Sequence, residues 1–123
     1  MIEALREFLQ QQNCGSVYCD FMPDEQTQPE AIGLFCWSNT VAELNDGSGT
    51  FFVQMQVRRP TYEEAKKTCA QLFALLDSGL DEQQIQLTAE RWCIARPRRG
   101  PVLLDRTVKS TTFYCEIALW GEN

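Results

Sequence analysis

Phe51-Phe52-Val53-Gln54-Met55-Gln56-Val57-Arg58-Arg59-Pro60-Thr61-Tyr62-Glu63-Glu64-Ala65 decides the fold, because a strand pattern and a helix pattern meet in it back to back. Phe51, Val53, Met55 and Val57 alternate with Gln54, Gln56 and Arg58, the period of a strand with one buried face. Pro60 ends that strand. Thr61 then stands where its hydroxyl can accept from the backbone N–H of Glu64 while Glu64 reaches back, a capping box that opens a helix. The helix is expected over residues 62–76, with Tyr62, Ala65, Cys69, Leu72, Phe73 and Leu76 on its apolar stripe and Ser78-Gly79 at its end.

Upstream, residues 32–41 read as a strand that pairs with 51–58 as a hairpin, through a loop at 43–49 carrying Asp46-Gly47. A helix is expected over residues 2–12, where Ile2, Ala4, Leu5, Phe8 and Leu9 recur at spacings of three and four. Asn13-Cys14-Gly15 supplies its stop, since Asn and Gly tolerate the left-handed turn. Residues 16–21 follow as a short strand, and 24–30 as a polar surface loop.

Downstream, strands are expected over 85–95 and 112–120. In the second, Phe113, Cys115, Ile117 and Leu119 share one face, while Tyr114, Ala118 and Trp120 leave the other partly apolar, which implies a second contact surface. Between them Pro97, Gly100 and Pro101 are expected to break any continuous strand or helix. The order of elements gives a single α+β domain over residues 1–123, with an antiparallel (mixed) sheet and two helices packed mainly on one face.

Composition supports one packed core: 123 residues suit one domain, and 44% hydrophobic residues suffice to fill it. The longest apolar runs, at 32–37 and 113–120, fall far short of the ~20 residues that span a bilayer. Glu3 and Glu7 stand where a secretory signal needs a basic stretch, so an intracellular protein is expected.

The chain has no histidine, which removes the commonest general base and the usual partner of a nucleophilic serine or cysteine. Glu63-Glu64 is explained by capping and Asp81-Glu82 by solvation, and neither a phosphate loop nor a Gly-x-Ser-x-Gly elbow occurs. No enzyme and no cofactor are expected. Of the six cysteines, Cys36, Cys93 and Cys115 fall in strand-like runs and Cys69 on the helix stripe, as free core thiols do. Cys14 and Cys19 complete the set without a Cys-x-x-Cys pair, so neither zinc nor a disulfide framework is expected.

Charge is polarised along the chain. Residues 1–50 hold eight acids and one base, for −7; residues 91–111 hold six bases and one acid, for +5. One molecule thus carries both halves of a complementary pair, although a solvated acidic surface and a partnerless basic loop would read the same way. The pI of about 4.6 opposes a dedicated nucleic-acid module and leaves only contact with passing DNA.

Phe52 to Ala65, then Ile94-Ala95-Arg96-Pro97, Leu104-Asp105 and Thr112-Phe113-Tyr114-Cys115-Glu116-Ile117 together resemble the minor capsid and tail-terminator proteins of tailed phages and prophages. The likeness runs from Met1 to Trp120 and rests on short, degenerate motifs in a shared order. It implies a subunit that forms a ring, typically sixfold, at the head-proximal end of the tail tube, stopping tube growth and offering the head a docking surface. Its partners would be further copies, tail-tube and head-connector proteins; its place would be the bacterial host cytoplasm and then the virion. The assembly surface would draw on Arg58, Arg59, Arg96, Arg98, Arg99 and Arg106. The cysteine content and the extra arginine of the 96–99 segment have no counterpart in those motifs. A free-standing α+β adaptor or regulatory binding domain is the other reading of the same pattern.

Overall fold

The structure, a computed structural model, describes residues 1–39 and 48–122. The end of the expected strand at 40–41 and residues 43–47 of the expected loop at 43–49 lie outside the described residues, and the last two loop positions, Ser48 and Gly49, belong to β3. The elements run α1 (Ile2–Gln10), β1 (Val17–Cys19), β2 (Ala31–Asn39), β3 (Ser48–Arg59), α2 (Tyr62–Leu75), β4 (Ile85–Gln86), β5 (Trp92–Arg106) and β6 (Thr111–Glu122). Among the described residues the strands form one six-stranded sheet in the order β1-β2-β3-β6-β5-β4.

The stretch that decides the fold behaves as its pattern dictates. Phe51, Val53, Met55 and Val57 are all buried, and Thr61 Oγ1 accepts from the Glu64 backbone N–H at 3.2 Å to open α2. Along β3 these four apolar residues face Leu119, Ile117, Cys115 and Phe113 of β6, so two strands present one continuous apolar face. On that face α2 lays Ala65, Cys69 and Leu72, with Leu76 just past its end, and α1 lays Leu5 and Leu9 on the same side over β1 and β2, all within a single core cluster. Both helices therefore cover the same side. Phe73 packs at the margin of this core and is only half-buried.

The sheet is mixed, as expected: β1 runs parallel to β2 while the other pairings are antiparallel. Two expectations change. The expected strand over 85–95 is two strands joined by a tight turn. There the Thr88 hydroxyl accepts from the backbone N–H groups of Glu90 and Arg91, at 3.3 and 3.1 Å, which diverts those groups from a ladder. The largest change is β5, which continues through Pro97, Gly100 and Pro101 to Arg106. Register shifts at Pro97/Arg99, Arg99/Val102 and Leu103/Asp105 absorb the irregular residues as bulges.

Pro97 is tolerated for a further reason. The Ala95 carbonyl accepts from Ser78 N and the Ala95 N–H donates to Ser78 Oγ, each at 2.8 Å, so the polar groups of Ala95 point away from β6. Two residues on, the Pro97 nitrogen points the same way, where β6 asks for no donor.

α1 ends at Gln10, two residues earlier than expected; Asn13 and Gly15 then take the positive φ values, 57° and 104°, that turn the chain into β1. The β1–β2 connection crosses the sheet face opposite the helices. Met22 lies so close over Gly33 that a Cβ there would fall 2.6 Å from the Met22 sulfur, a contact only glycine avoids.

Candidate assembly surface

The helices cover one face and the 20–30 connection covers part of the other, so among the described residues no layer lies over the far corner of the second face. Strand parity decides what fills it. Opposite the buried residues of β3 and β6 stand Phe52, Gln54, Tyr114, Glu116, Ala118 and Trp120, all half-buried or exposed. β5 adds Ile94 and Arg96, paired with Trp120 and Ala118. The rings of Trp92 and Trp120 pack with centroids 5.5 Å apart.

Structure divides the six arginines of the sequence-derived surface into three groups. Arg96, Arg98 and Arg99 gather on this open face. Arg96 forms an ion pair with Glu82 at the start of the cluster. The Arg98 guanidinium lies 4.5 Å from the centre of the Phe52 ring, a cation–π contact. Arg99 donates to the Tyr114 hydroxyl at 3.1 Å and stands 3.8 Å from the Glu116 carboxylate. In a regular strand Arg98 and Arg99 would point to opposite faces; the bulge between Pro97 and Arg99 lets both reach the same one.

Arg58 and Arg59 are not part of this surface, since both are buried. Arg58 donates through Nη2 to the carbonyls of Pro23, at 2.7 Å, and Gln28, which holds the β1–β2 connection against the sheet. Arg59 donates to the carbonyls of Arg58 and Cys14, which fixes the turn after α1. Arg106 is exposed but distant, its guanidinium 5.3 Å from the ring centre of Tyr62 on α2.

Glu25 ties the same connection to the β5–β6 turn. Its carboxylate accepts from the hydroxyls of Ser110, at 2.6 Å, and Thr107, at 3.1 Å, and these bonds hold its pKa below the usual glutamate range. Glu3, Glu7, Asp20, Asp24 and Glu30 are exposed on α1 and on the segment around β1. Glu43 and Asp46 lie outside the described residues.

The sequence pattern anticipated the half-apolar second face of β6 but missed Phe52 and Ile94. The one available signal was parity: Phe52 sits out of phase with the buried set that begins at Phe51, and Ile94 neighbours the core residues Cys93 and Ala95. Among the described residues no group of three or more His, Cys, Asp or Glu side chains is placed to hold a metal ion, and no helix is long and apolar enough to cross a membrane. No protein-family model and no curated protein matches the chain.

Proposed function

We propose that the chain is a structural subunit of a tailed phage or prophage, a tail-terminator or minor capsid protein that assembles into a ring at the head–tail junction and limits growth of the tail tube. The observation that carries this reading is the uncovered corner of the sheet, where Arg96, Arg98 and Arg99 stand among Phe52, Tyr114 and Trp120 while the exposed acids gather around α1 and β1. Aromatic and arginine side chains are the residues that anchor protein interfaces. Opposite charge on separate parts of one molecule sets register between copies. The order of motifs described above supplies the phage context.

An Arg98→Glu, Arg99→Glu variant is expected to keep the melting transition of the parent, since both side chains are exposed, and to fail at capping tubes. Electron microscopy of tails assembled with the variant reads the result as tubes that overrun their normal length. Tails of normal length that still join heads would remove these arginines from the assembly surface.

A further inference from the structure

The uncovered corner holds a cleft of about 490 Å³. Ile94, Ala118 and Trp120 give it an apolar floor, and Thr50 with the Arg96–Glu82 ion pair lines its rim. Trp120 is 40% exposed there, a large apolar surface left to water. At the other edge of the sheet Phe21 is 53% exposed, its ring set edge-on against Tyr18 at 5.1 Å. The strand order puts four inter-strand spacings between β1 and β5, roughly 19 Å, so a chain cannot place its own Phe21 in its own cleft.

Charge follows the same division. Exposed Asp20 precedes Phe21 and exposed Asp24 follows three residues on, while Glu3, ion-paired with Arg6, lies with that arginine in the same surface hollow as Phe21. Arg96, Arg98 and Arg99 flank the cleft. An apolar knob whose collar holds Asp20 and the Glu3–Arg6 pair, and an apolar socket whose collar holds Arg98 with the Arg96–Glu82 and Arg99–Glu116 pairs, thus occupy opposite edges of one molecule and differ in the sign of their unpaired charge.

We infer that the cleft receives Phe21 of a second copy of this chain, so that copies join head to tail, the β1 edge of one against the β5 edge of the next. This deepens the assembly reading above and rests on it. The two surfaces differ, so the contact is heterologous and each copy keeps one free knob and one free socket, which permits a ring. A buried aromatic in a pocket supplies the affinity, and the charged collars fix orientation and steer encounter.

Two variants test it by analytical ultracentrifugation. Phe21→Ser removes the knob and Ala118→Arg fills the socket; both positions are incompletely buried, so each variant is expected to melt as the parent does. The parent chain is expected to self-associate as its concentration rises toward the millimolar range, and each variant alone to do so at least about ten-fold more weakly. Mixed together, the variants share one intact knob and one intact socket, so they form dimers and grow no further. A parent that stays monomeric, a Phe21→Ser variant that associates like the parent, or a mixture that stays monomeric would each overturn the contact. Measurement of tail length separates the two readings: a monomeric chain that still limits tails sinks this contact alone, and a chain that associates as described without affecting tails sinks the assembly reading.

Discussion

Arg58 and Arg59 are neighbours in sequence, and the alternation of β3 sends one guanidinium to each face of the sheet. Each then satisfies loop carbonyls that lie 30 or more positions away in the chain: Pro23 and Gln28 for one, Cys14 for the other. A buried guanidinium is costly unless its donors are used, and removing the side chain takes those donors from the loop carbonyls they hold. Arg59→Ala should therefore lower the unfolding free energy by about 2–3 kcal/mol in a urea titration, whereas Arg98→Ala should leave the midpoint where it is. Equal effects would mean that Arg59 is not holding the turn after α1. Sequence alone assigned both arginines to a contact surface, because nothing local distinguishes a basic residue at a strand end that faces water from one that folds back onto a loop.

The elements that were legible carry their instructions within a few residues. α2 has Thr61 at its start and apolar residues at helical spacing, and the structure matches both its onset and its buried stripe at Ala65, Cys69, Leu72 and Leu76. Phe73 belongs to that stripe by its spacing, yet it sits at the margin of the core and is only half-buried. Leu76→Ala is accordingly expected to cost about 2–5 kcal/mol and Phe73→Ala only about 1–2 kcal/mol, measured as shifts in denaturant midpoint at constant slope. The reverse order would place the helix axis differently over β3 and β6. β5 was illegible for the opposite reason. Pro97, Gly100 and Pro101 have strong local preferences against a strand, and what overrides them is tertiary: β6 on one side, Ser78 on the other, and bulges that re-aim the chain. The same bulges gather Arg98 and Arg99 on one face, so the candidate surface could not be seen until the strand was.

Across the whole molecule the two faces of one sheet differ, with packing on the side of the helices and the proposed contact surface on the other. The cysteines follow that division. Cys69, Cys93 and Cys115 are buried under the helices, while Cys14, Cys19 and Cys36 are half-buried; Cys36, expected in the core, stands beside the register shift between Cys36 and Ser38. Burial pushes the Cys93 thiol up to about 12, and a hydrogen bond with Cys69, together with burial, holds Cys115 far above the ordinary thiol range. A native chain treated with a thiol reagent should therefore lose Cys14, Cys19 and Cys36 and retain the other three until it unfolds, which peptide mass mapping reads directly. Rapid native modification of Cys93 or Cys115 would show that the helices open far below the global transition. The outer margin of β5 carries a last consequence. From Trp92 to Pro97 that margin is occupied by β4, bonded to Ser78, or deprived of a donor by proline, so it cannot template the stacking of one identical strand on another. In the proposed assembly, copies that meet there would hold on through side chains and could let go again, so that a misplaced subunit would leave and be replaced rather than seed a fibre.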